Sequence, residues 1–161
     1  MIITDSDYQI LNLTDIFFLS YPNPPFTEIL KKQKRAYNCL LFQSHYDYFI
    51  CVPYRSEINH NYAFMFKNSV RSQNHKSGLD YTKIVIIKDK RYIDNKDAII
   101  DKDEYMETVA NIRKIKEGAL QFVEDYIKHK KGYLKLHDLE YKRRYKYSSL
   151  QYFHTELGIY T

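Results

Sequence analysis

The sequence predicts an α+β fold, a small antiparallel sheet with helices packed on it. Three observations lead there. Short apolar and aromatic runs of strand length fill the first part of the chain, and one long helical periodicity follows them. No repeat, low-complexity segment or linker divides the 161 residues. The chain therefore reads as one domain, residues 1–161, long enough to bury a core.

The elements follow in order. Tyr8 to Leu13 alternates as a first strand, and Thr14-Asp15 caps a short helix reaching Leu19. Three prolines in Pro22-Asn23-Pro24-Pro25 make that stretch a loop. Residues 37–42 and 46–53 are apolar runs joined at Ser44-His45, an antiparallel hairpin. A third strand is expected over Tyr62 to Phe66 and a fourth over Lys83 to Ile87. Residues 67–80 between them are polar and basic, a long connection of the kind that is functional or mobile. Asp94 to Asp97 reads as a turn before a short strand, Ala98 to Ile100.

A long helix near 102–131 comes next, with Asp101 as its cap and Glu104 completing a capping box. Tyr105, Val109, Ile112, Ile115, Ala119, Phe122, Val123 and Tyr126 share one face, and Gly132 is the stop signal. In the tail, Asp138 caps a helix to about Tyr145. Ser148 with Gln151 forms a second capping box, for a helix ending at Gly158.

Composition narrows the function. Hydrophobic residues make up 44% and charged residues 28%, as in a globular protein. The first residues lack the pattern of a signal peptide, and no apolar run approaches the roughly 18 residues that span a bilayer. Cys39 and Cys51 lie in apolar strands and read as reduced, buried thiols. The expectation is a cytoplasmic protein with no membrane partner.

The net charge of +5 is unevenly spread. Residues 31–91 carry twelve Lys or Arg against four Asp or Glu, and residues 128–161 carry eight against three. Residues 1–30 and 92–127 are acidic. Two basic blocks between acidic ones suggest one positive face that attracts a polyanion. Lysine and tyrosine abundance by itself follows from an AT-rich genome; the clustering carries the signal.

Several chemistries lack their motifs. The six histidines show no His-x-x-x-His and the cysteines no Cys-x-x-Cys, so no metal site is expected. There is no Gly-rich phosphate loop and no nucleophile elbow. No cofactor is expected.

What remains is Lys31-Lys32-Gln33-Lys34-Arg35 before one strand and Tyr54-Arg55-Ser56, followed by His60-Asn61, after the next. In the expected hairpin Arg35 and Arg55 emerge at the same open end of the sheet. RNA can be cut by its own 2′-hydroxyl attacking the adjacent phosphate, leaving a 2′,3′-cyclic phosphate. That route needs a proton acceptor, a proton donor and cations facing phosphorus, but no metal. Arginine suits the last task because its planar fork grips two phosphate oxygens and stays charged. Charge placed where charge develops is worth roughly 10²–10³ in rate per donor. His60 is the candidate acid or base, since imidazole exchanges protons near neutrality. Ser56 can orient a hydroxyl or a phosphate oxygen. Each of these has a plainer reading as solvated or structural surface, and spacing alone does not make an enzyme.

The block His45-Tyr46-Asp47-Tyr48-Phe49-Ile50-Cys51-Val52-Pro53-Tyr54-Arg55-Ser56-Glu57-Ile58 resembles the toxins of type III toxin–antitoxin systems. So do residues 61–67, residues 77–83 and the run Tyr152 to Gly158, in colinear blocks covering nearly the whole chain. The branch it resembles most is that named TenpN and CptN, related to ToxN.

The resemblance implies a compact twisted antiparallel sheet of the MazF/Kid toxin type. It also implies cleavage of cellular mRNA at A-rich sites, and inhibition by short RNA pseudoknots that the toxin releases from their precursor and binds in a closed assembly. Arg35 stands where the ToxN branch has a catalytic Lys, and Arg55-Ser56 replaces a Thr-Ser pair. An arginine is a poor base, so Lys34, His60 and Tyr54 are left for proton transfer, with His60 preferred.

RNA contacts are expected from Lys31, Lys32, Tyr54 and Asn61, from Arg71, His75 and Lys76, and from Lys142, Arg143, Arg144 and Lys146. In the last cluster cations alternate with rings, which suits phosphates plus unstacked bases. Two other readings compete with the RNA-controlled endoribonuclease: a non-catalytic RNA-binding module, and a MazF-like toxin governed by a protein antitoxin.

Overall fold

The computed structural model describes residues 7–30, 38–44 and 46–160. The class is α+β, with seven antiparallel strands among the described residues and several helices. The strands are β1 (Tyr8–Leu13), β2 (Asn38–Gln43), β3 (Phe49–Arg55), β4 (Ala63–Met65), β5 (Gly78–Asp80), β6 (Val85–Ile87) and β7 (Ile93–Asp97). Their order is β4-β5-β3-β2-β1-β7, with β6 paired to β3 beside β5. The helices are α1 (Asp15–Ser20), α2 (Val70–Asn74), α3 (Lys102–Ala110), α4 (Ile112–Lys131), α5 (Asp138–Tyr145) and α6 (His154–Leu157).

The expected hairpin is present. Gln43 lies opposite Phe49 and Cys39 opposite Pro53. The connection is longer than expected, because β3 begins at Phe49 rather than at residue 46. Ser44 shapes it: its backbone N–H and hydroxyl both donate to the Tyr48 carbonyl, and its oxygen accepts from the Tyr46 N–H. Cys39–Phe42 and Ile50–Pro53 are consecutively buried, so the middle of the sheet is covered on both faces. Cys39 and Cys51 are buried free thiols within it.

The edge of β3 is shared by two strands. Phe49, Ile50 and Cys51 pair with β6, and Tyr54 and Arg55 pair with β5. Between them the chain leaves the sheet in a 3-10 turn, Tyr81–Lys83. The strand expected from Lys83 therefore starts only at Val85. This step beside β3 positions the site described below.

The stretch 67–80 is not the long loop expected. It holds α2, capped by Ser69 through the Ser72 N–H, and then β5. β5 pairs with both β3 and β4, and a Cβ on Gly78 would meet the Phe64 carbonyl oxygen at 2.1 Å. Only glycine lets three backbones approach this closely. The strand expected at Ala98–Ile100 is also displaced. Ile93–Asp97, read as a turn at its C-terminal end, is the edge strand paired with β1, and Ile99 is exposed. Backbone pairing to β1, rather than side-chain pattern, decides that polar edge.

The long helix near 102–131 is interrupted at Asn111, which ends α3 and precedes α4. The Asn111 amide donates to the Glu107 carbonyl, a side-chain bond back onto the preceding turn. Helix α4 buries the predicted face, Ile112, Ile115, Ala119, Phe122, Val123 and Tyr126. In α3 the predicted face fails: Tyr105 and Val109 are exposed, whereas Glu104, Glu107 and Thr108 are buried. The reason is polar. Glu107 accepts the Lys67 and Asn68 N–H groups, and Asp103 accepts that of Val70, so α3 satisfies the backbone leading into α2.

Gly132 ends α4 at φ +81, as expected. The capping boxes do not form. Asp101 pairs with Arg71 instead of capping α3. His137, not Asp138, caps α5 through the Leu139 N–H, and Ser148 caps a 3-10 turn over Ser149–Tyr152. Gln151 donates to the Ser148 carbonyl rather than accepting its N–H. Among the described residues no helix is long and apolar enough to cross a membrane.

Candidate functional site

Arg55 is the last residue of β3 and lies opposite Gly78. Two residues beyond Gly78 along β5, Asp80 is completely buried. A carboxylate without water needs donors on every side. One oxygen of Asp80 accepts Arg55 Nη1 at 2.8 Å. The other accepts the Thr82 N–H at 2.9 Å and the Thr82 hydroxyl at 2.7 Å, and His60 Nε2 lies 3.1 Å from it. Burial pushes the Asp80 carboxyl up, but bonds from His60, Thr82 and Arg55 outweigh it and hold the group below the usual carboxylate range.

His60 is fixed at both ring nitrogens. Nδ1 accepts the Tyr62 backbone N–H at 3.0 Å, and Nε2 is also 3.3 Å from Thr82 Oγ1. The segment leading to His60 is shaped by Glu57 at φ +59 and by Ile58, which is buried and donates its N–H to the Lys76 carbonyl at 2.9 Å. The Glu57 carboxylate makes a short contact with His75 Nδ1.

Arg55, His60 and Thr82, the partners of Asp80, border a cavity of about 360 Å³. Arg55, Glu57, Asn59 and His60 reach it from the end of β3 and the segment after it; Thr82 and Lys83 reach it from the step between β5 and β6. Arg143, Arg144 and Tyr147 close it from α5 and the residues just beyond, and Glu28 completes the lining. Lys83 is nearly buried and donates to Glu28 and to the Tyr147 carbonyl, both at 2.8 Å. Arg144 is held by Glu140 at 2.6 Å and Asp125 at 3.1 Å. Arg143 is exposed, with no described hydrogen bond. Tyr147 is 61% exposed, and Lys146 Nζ stands 5.3 Å from its ring centroid.

Of the residues singled out from the sequence, Arg55, His60, Arg143 and Arg144 therefore meet at one cavity. Ser56 is half-buried next to Arg55 but does not line it. Tyr54 points elsewhere: its phenol bonds to Thr108 at 2.9 Å, its ring stacks on Phe66, and burial pushes its hydroxyl up. Arg71 sits on α2 and is paired with Asp101 at 2.8 Å. Asn61, His75, Lys76, Lys142 and Lys146 are exposed. Lys31, Lys32, Lys34 and Arg35, and His45 of the expected turn, lie outside the described residues. Asn38 begins β2 at the end of the sheet where Arg55 leaves it.

Sequence reasoning missed Asp80, Thr82, Lys83 and Glu28 as parts of the site, whereas Tyr147 was one of the rings in the cluster 142–147. One signal was available: Asp80 is among only four acids in the basic block 31–91. Among the described residues no group of three or more His, Cys, Asp or Glu is arranged to hold a metal ion. Comparison of this chain with protein-family models, with curated proteins and with solved structures gave no match.

Proposed function

We propose that this chain is a metal-independent endoribonuclease toxin of a type III toxin–antitoxin system. It cuts RNA by attack of the 2′-hydroxyl on the adjacent phosphate and is inhibited by a pseudoknot RNA that it processes. The observation that carries the reading is Arg55. One end of its guanidinium is tied to buried Asp80, its Nε and Nη2 make no described hydrogen bond, and it borders a cavity that also takes Arg143 and Lys83.

A guanidinium oriented before the substrate arrives faces the charge that develops on the phosphate oxygens without having to reorganise. Ser56 follows Arg55 in the chain but does not line the cavity, so its part in orienting the attacking hydroxyl rests on the resemblance alone. The resemblance of its colinear blocks to the toxin family points to the same reading and supplies its finer parts: the MazF/Kid type of sheet, the RNA antitoxin and Arg35 in the place of a catalytic Lys.

The test is purified protein incubated with RNA in EDTA. Cleavage leaving 2′,3′-cyclic phosphate ends is expected, with a loss of about 10²-fold or more in Arg55→Ala. RNA that is bound but stays intact would make the chain a non-catalytic RNA-binding module, and cleavage abolished by EDTA would remove the metal-free route.

A further inference from the structure

The partners of His60 fix where its ring proton sits. Nδ1 accepts from the Tyr62 N–H, so it carries a lone pair and no proton. The ring proton is then on Nε2, which faces Asp80 Oδ1 at 3.1 Å and Thr82 Oγ1 at 3.3 Å. Thr82 gives its own hydroxyl proton to Asp80, leaving its oxygen free to accept. Every member of the network is satisfied. The opposite tautomer would set an N–H against the Tyr62 N–H and a lone pair against the Asp80 carboxylate. A proton acceptor for an RNA hydroxyl needs a bare lone pair within about 3 Å of it, and here His60 has none.

We infer that His60 is a positioning residue and not the proton carrier: with Thr82 it clamps Asp80, and Asp80 in turn aims Arg55 into the cavity. The clamp joins two stretches of chain that are distant in sequence: the end of β3 with the segment 56–62, and the end of β5 with the 3-10 turn. This rests on the endoribonuclease reading, because it assigns the parts of that same site.

A glutamine at position 60 can still donate to Asp80 but cannot shuttle a proton near neutrality. His60→Ala is expected to slow RNA cleavage by about 10²-fold through misplacement of Arg55, and His60→Gln to recover the greater part of that loss. A proton carrier would leave both variants equally poor, down by about 10²-fold or more, and that result overturns the assignment. A second measurement needs neither a variant nor activity. Long-range ¹H–¹⁵N correlation of the wild-type protein should show His60 as the Nε2–H tautomer, and an Nδ1–H tautomer would refute the clamp. Wild-type protein that cuts no RNA removes the endoribonuclease reading, while the tautomer still decides whether the clamp exists.

Discussion

Two arginine–aspartate pairs of equal length, both 2.8 Å, occupy different parts of this molecule. Arg55–Asp80 sits where β3, β5 and the 3-10 turn meet, with side-chain exposures of 34% and 0%. Arg71–Asp101 joins α2 to the start of α3, with exposures of 22% and 51%. Distance does not distinguish them; the burial of the acceptor does. Asp101 can be solvated by water when Arg71 leaves. Asp80 has no such alternative, so it gathers His60, Thr82 and Arg55 and makes their geometry interdependent. The same ion pair is a surface contact in one region and the hub of a candidate site in the other.

The contrast can be broken by mutation, most sharply at the buried acceptor. Asp80→Ala strands the buried Thr82 N–H and hydroxyl and takes from His60 and Arg55 their shared acceptor, and should cost about 3 kcal/mol or more in urea unfolding. A cost under about 1 kcal/mol would put the two pairs in the same class. Acid comes next. The folded-state carboxyl of Asp80 is held below its ordinary value, so the stability it contributes is complete above the unfolded value of about 3.9 and is lost as pH falls through the folded one. Below about pH 4, Asp80→Asn should therefore lose less stability per pH unit than the wild type, measured as Tm against pH. Identical acid limbs would mean that Asp80 gains nothing from its donors. The smallest effect is expected at the exposed pair: Arg71→Ala should change stability by no more than about 1 kcal/mol. A larger loss would show that α2 depends on that contact, rather than on Glu107, Asp103 and Ser69.

Much of the frame was legible before any coordinates. The hairpin of β2 and β3, the first strand, the buried face of α4 and the stop at Gly132 all follow from periodicity and from local backbone preference. Arg55 and His60 were legible as a patch because they flank one strand end. The partners that fix them were not. Asp80 lies in a stretch whose composition reads as a polar loop, and its strand exists only because β3 and β4 close on Gly78 from both sides. The break at Asn111 was hidden for a related reason. The apolar spacing runs on through α3, but the backbone leading into α2 needs acceptors, and Glu107 and Asp103 turn inward to supply them.

Sequence by itself determined the α+β class, the distribution of charge into two basic blocks, and the residues able to grip a phosphate, because periodicity, net charge and side-chain chemistry are local properties. Tertiary structure alone decided which of those residues meet. It brought Arg143 and Lys83 to the cavity beside Arg55, turned Tyr54 toward Thr108, and gave His60 a partner at each nitrogen. The physical reason is that a buried carboxylate must be satisfied by whatever donors the folded chain brings within reach. Thr82 lies two residues from Asp80, but Arg55 and His60 come from a segment that no local pattern connects to it.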